Sequence, residues 1–157
     1  MLTEFLSLSS EDQELLKSAP ALITILVGGA DDDLSLEELG KALKTVRIRA
    51  YNEEYALQFF YQQLEANYDN QVTEVAQSLP ASPEERVQIL AQRLAKINDV
   101  LAQFSPEAAY AFYQDLMSFS KTVARAEGGF LRWITIGPKE AKVVDLPMID
   151  PIPEPEE

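Results

Sequence analysis

Twice the chain places Ser-Pro-Glu directly ahead of an apolar stripe, as Ser82-Pro83-Glu84 and again as Ser105-Pro106-Glu107. Such a serine accepts a hydrogen bond from a free N–H of the first helical turn. Proline suits the first helical position, where its missing N–H leaves nothing unsatisfied. The glutamate meets the positive end of the helix dipole. The first start leads into Val87, Leu90, Leu94, Ile97 and Leu101, spaced as one face of an amphipathic helix. The second opens a helix that should stop at Gly128-Gly129. Punctuation of this kind commits the chain to helices.

The remaining segments read the same way. Ser9 or Ser10 caps a first helix whose opening turn carries Glu11 and Asp12. Pro20 suits the start of a second helix, which should end at Gly28-Gly29. Ser35-x-x-Glu38 is a capping box for a third, with Leu36, Leu39, Ala42/Leu43 and Val46 as its apolar face. Asn52 caps a long fourth helix from Glu53 toward Leu79, with Asp69-Asn70 as a point of interruption. Tyr55, Phe59, Tyr61, Leu64 and Tyr68 form its core-facing aromatic stripe. Residues 130–136 alternate as a strand would, but a lone strand has no partner, so a helical turn or packed loop carrying Trp133 inward is expected. Gly137-Pro138 then opens a last helix through Asp145. The expected fold is all-α, a compact bundle of about seven helices with no sheet. It occupies 1–146, and a mobile proline-rich acidic tail follows at 147–157.

Composition narrows the chemistry. There is no histidine and no cysteine among the 157 residues. That removes Ser-His-Asp and Cys-His catalysis, disulfides, and the usual zinc ligands. No zinc, haem or iron–sulfur centre is expected. Carboxylate oxygens remain, which suit calcium or magnesium. The net charge of −13 disfavours nucleic acid and anionic membranes as main partners. No apolar run approaches the ~20 residues of a bilayer span. Met1–Leu6 lacks the basic start of a signal peptide, so a cytoplasmic protein is expected. A short basic patch, Lys41, Lys44, Arg47 and Arg49, interrupts the acidic background.

The candidate site is Ala30-Asp31-Asp32-Asp33-Leu34-Ser35-Leu36-Glu37-Glu38, with five carboxylates in nine positions. Two readings stand side by side. In one, Glu37 and Glu38 complement the helix dipole and the aspartates are turn residues on a wet surface. In the other, Asp31 and Asp33 turn toward one point and Glu38 returns from the helix, forming an oxygen site for a divalent cation. An EF-hand does not fit, because Leu36 stands where its glycine belongs and Ala42 where its glutamate belongs. A weaker echo follows the later helix, where Ala126-Glu127-Gly128-Gly129 leads on to Glu140. If the halves pack with these loops adjacent, Asp31 and Glu127 lie on one side, and Glu127 and Glu140 add ligands.

This pattern resembles the TerB-like family of tellurite-resistance proteins, in which Ala-Asp-Gly-x-apolar-x-x-x-Glu occurs twice between helices. Ala30, Asp31, Leu34 and Glu38 fall on it, and Asp32 stands in the glycine position. In the second copy Ala126 and Gly128 match, Glu127 takes the aspartate position, and Glu140 is the closing acid. The resemblance implies a helical bundle built from two helix–acidic loop–helix units. It also implies divalent-cation binding and a stress-response setting, without a known enzymatic activity. The leading expectation is therefore a non-enzymatic module whose partner is another protein. The alternatives are an interaction scaffold without metal and a carboxylate-dependent, metal-assisted hydrolase, for which the sequence fixes no nucleophile or oxyanion site.

Overall fold

The computed structural model describes residues 1–29, 36–125, 133–136 and 139–156. Among these, eight α-helices form the body: α1 (Leu2–Leu6), α2 (Ser10–Gly29), α3 (Leu36–Tyr51), α4 (Gln58–Glu65), α5 (Tyr68–Ser78), α6 (Pro83–Ala95), α7 (Ile97–Leu101) and α8 (Pro106–Ala124). The helical bundle is as expected. No helix among the described residues is long and apolar enough to cross a membrane.

Helix α2 is the axis of the bundle. It touches α3, α5, α6, α7 and α8, and Ala21 to Val27 are buried on every side. A helix apolar all round belongs in the middle of its neighbours. Pro20 does not open a separate helix, as the sequence suggested, but lies inside α2. An interior proline costs ~3 kcal/mol, which the burial of Leu16, Leu22, Ile23 and Leu26 around it outweighs. The start and end of α2 follow the sequence. Ser9 Oγ accepts from the Asp12 N–H at 3.1 Å, and the helix runs out at Gly29.

The expected 53–79 helix is divided. Asn52 caps a turn, its side chain accepting from the Glu54 N–H at 3.0 Å, and α4 begins only at Gln58. This Asx turn competes with helix for the same N–H groups. A second break at Ala66-Asn67 separates α4 from α5. The stripe still faces inward, with Tyr61, Leu64 and Tyr68 buried. Serines 82 and 105 cap α6 and α8 as read, accepting from Glu85 and Ala108. A break at Lys96 splits α6 from α7, yet Leu90, Leu94, Ile97 and Leu101 keep one buried face. Around α8, Phe5, Phe60, Phe104 and Phe112 interlock. Phe60 meets Phe112 edge-on at 5.5 Å, and Phe104 stacks on Phe112 at 5.0 Å.

Two expectations near the C-terminal end are corrected. Trp133–Ile136 and Lys139–Lys142 form an antiparallel hairpin, β1 and β2, where no sheet was foreseen. The register pairs Trp133 with Lys142 and Ile136 with Lys139. The helix expected from Gly137 to Asp145 is thus strand β2 followed by a 3₁₀ turn, Val143–Asp145. Part of the stretch read as a tail from 147 packs on the body. Met148 and Ile149 are buried and Ile152 packs on the core. Asn98 grips this stretch from both sides, donating to the Met148 carbonyl at 3.0 Å and accepting from the Asp150 N–H at 2.8 Å.

Candidate functional site

Of the residues singled out for metal binding, Asp31, Asp33 and Glu127 lie outside the described residues. Glu38 sits in the first turn of α3. Glu140 does not open a helix. It lies on β2, paired in register with Thr135, so the second helix–acidic loop–helix unit is not built as expected. Among the described residues no group of three or more His, Cys, Asp or Glu is placed to hold a metal.

The densest polar constellation was not foreseen. It forms around Asp115, which occupies the core face of α8 between Phe112 and Phe119 and is 3% exposed. A carboxylate placed there needs partners, because an unpaired buried charge is very costly. Three elements supply them. Arg49 from α3 donates from Nη1 to Oδ1 at 2.8 Å. Tyr55, in the turn after α3, donates its hydroxyl to the same oxygen. Tyr61 from α4 donates to Oδ2 at 2.6 Å.

The guanidinium is held equally firmly. Nη1 also lies 2.9 Å from the Tyr61 hydroxyl and 3.2 Å from the Asp115 carbonyl, and Nη2 donates to Ser118 Oγ at 2.9 Å. Its carbon sits 5.3 to 5.7 Å from the ring centres of Tyr55, Tyr61 and Phe119, within cation–π range. The basic patch read from the sequence is therefore divided: Arg49 faces inward, while Lys41, Lys44 and Arg47 remain exposed.

Electrostatics follow from this burial. Desolvation raises the Asp115 carboxyl above its ordinary range, although Arg49 and the two phenols pull the other way. Burial pulls the Arg49 guanidinium down, and the Tyr61 and Asp115 oxygens outweigh it, so its pKa rises. Burial, reinforced by the Asp115 charge, pushes the Tyr55 and Tyr61 phenols upward.

An open cleft of about 280 Å³ lies beside the cluster, lined by Tyr55, Leu57, Ala111, Gln114, Asp115 and Ser118. Both carboxylate oxygens of Asp115 accept hydrogen bonds, and the cluster fastens α3, α4 and α8 together beside the cleft. The signal for it was an acid inside the stripe Ala108, Phe112, Leu116, Phe119 and an arginine at the end of a helix otherwise exposed on its basic side.

A second buried pair joins α2 to α5. Thr24 donates to the Pro20 carbonyl at 2.7 Å and shares a hydrogen bond with the Tyr68 hydroxyl. Burial pushes the Tyr68 phenol upward. Comparison with family models, with curated proteins and with solved structures found no match to this chain.

Proposed function

We propose that the chain is a non-enzymatic helical module, similar to the TerB-like proteins, that takes a divalent cation at the acidic segment between α2 and α3. One observation carries this reading. Helix α2 ends at Gly29 and α3 begins at Leu36, which confines Asp31, Asp32 and Asp33 to a six-residue connection and puts Glu37 and Glu38 in the turn that follows. Like charges held this close repel, and a bound cation relieves the repulsion. The donor set is all oxygen, as calcium and magnesium prefer. Asp31, Asp33 and Glu38 are the proposed ligands, with Glu127 and Glu140 as further ones. The occupied oxygens of Asp115 support a role without catalysis by that group.

The test is thermal unfolding with calcium or magnesium against sodium chloride of equal ionic strength. Binding restricted to the folded state, at a hundredfold excess over Kd, should raise Tm by roughly 5–10 °C. Glu38→Gln keeps the capping geometry and should blunt this response, as should Asp31→Asn. Glu127→Gln and Glu140→Gln tell a one-loop site from a two-loop site. An equal response to sodium chloride and to calcium would leave the segment as a capped, solvated connection.

A further inference from the structure

Between Leu39 and Asn52 the chain has no acidic residue, although it contains 26 Asp and Glu and carries a net charge of −13. Within that window Lys41, Lys44, Ile48 and Tyr51 follow one another at intervals of three, four and three. On a helix this is a single stripe, ~15 Å long. All four side chains are exposed, Ile48 at 57% and Tyr51 at 72%. Arg47 borders the stripe. It stands 3.9 Å from Glu65 with 59% of its side chain still exposed. The opposite side of α3 carries Ala42, Thr45, Val46 and Ala50, all buried. The helix is thus amphipathic in an unusual sense, since its outer face combines cations with an aliphatic and an aromatic side chain.

We propose that this outer face of α3 is a docking surface for an acidic segment of a partner protein, one that carries aliphatic side chains between its carboxylates. Charge selects the partner. Lys41, Lys44 and Arg47 form an island of positive charge on an acidic body; Glu65 borders it at Arg47, and screening over ~8 Å at physiological salt mutes the more distant carboxylates. A planar anionic membrane would face the whole −13 body and be repelled. Ile48 and Tyr51, one turn apart, supply the apolar anchors that a helix lying alongside would cover. Tyrosine suits this position, with an apolar ring and a polar tip. Beneath the stripe, Arg49 ties α3 to Asp115 at 2.8 Å, so the surface is presented on a fixed helix.

The experiment titrates the full chain into a fluorescently labelled helical peptide bearing Glu and Leu at helical spacing, followed by anisotropy. Saturable binding is expected, weakened by added salt. Lys44→Glu and Tyr51→Ser should each reduce affinity by about tenfold, equivalent to ~1.4 kcal/mol. Both alter exposed side chains, so an unchanged melting temperature confirms that the fold is intact. The proposal is overturned if the wild type does not bind the peptide, or if both variants bind it as tightly as the wild type. It is also overturned if a peptide with serine in place of leucine binds equally well, or if anionic vesicles are bound and the peptide is not.

Discussion

The Arg49 guanidinium crosses from α3 to meet the Asp115 carboxylate on α8 at 2.8 Å, with 12% of one side chain and 1% of the other exposed. These residues are 66 positions apart in sequence. Each is in a place where it could not remain without the other. Removing one partner leaves an unpaired buried charge, a loss of about 3–5 kcal/mol. Asp115→Ala is therefore expected to destabilise the protein by that amount in denaturant unfolding. The double variant Arg49→Met, Asp115→Leu should recover much of it, because an apolar pair of similar volume requires no charge to be desolvated. A double variant no better than Asp115→Ala alone would show that the phenols, and not the ion pair, hold the cluster.

Tyr68 and Thr24 make a smaller but sharper case. Thr24→Val keeps the shape and strands the buried Tyr68 hydroxyl, an expected cost of ~1–3 kcal/mol. Tyr68→Phe removes the hydroxyl, and Thr24 keeps its bond to the Pro20 carbonyl. Its cost should be lower. Equal losses in chemical denaturation would mean that Tyr68 finds another partner.

Glu4 gives an acid-side prediction. Its carboxylate accepts from the Ser105 N–H at 2.7 Å and from the Ser105 hydroxyl at 3.0 Å, joining α1 to the start of α8. The backbone bond is the main cause of a pKa below the usual 4.5. A lowered folded-state pKa contributes stability above 4.5 that disappears as pH falls through the folded value. Wild type and Glu4→Gln should thus differ in stability at neutral pH and converge in acid. Parallel pH–stability curves would sink this assignment.

The alkaline limb has the opposite sign. Tyr55, Tyr61 and Tyr68 all have phenols raised above 10 by burial. Their contribution is complete below pH 10 and lost as pH rises through the folded values. Tyrosinate absorbance should show these three ionising together with unfolding, and Tyr61→Phe should reduce the steepness of the stability loss. Ionisation of all three in a chain that still shows its native helical signal would contradict the burial.

Legibility from sequence followed the locality of the physics. Ser82 and Ser105 act within one turn of themselves, so their caps could be read without knowing the fold. Pro20 could not, because its cost is overruled by the packing of the whole of α2 against five other helices. Strands 133–136 and 139–142 exist because each pairs with the other, and neither segment shows that pairing by itself. Asp115 was hidden for a related reason. An acid on an apolar stripe reads as an imperfection until Arg49, Tyr55 and Tyr61 arrive from distant positions. The acidic segment was visible at once because its carboxylates are neighbours in sequence, and that proximity says nothing of what lies across from them.

Synthesis of the chain from its first residue onward gives the burial of Val143, Val144, Leu146, Met148 and Ile149 a temporal meaning. The 3₁₀ turn packs on α8 and α2, and the Ser120 hydroxyl donates to the Val144 carbonyl at 2.7 Å. Every surface these residues cover is made before they are. A nascent chain therefore carries an open apolar seat along α8 until the ribosome releases the segment that fills it. During that interval the apolar side chains of α8 beneath the segment stay in contact with water.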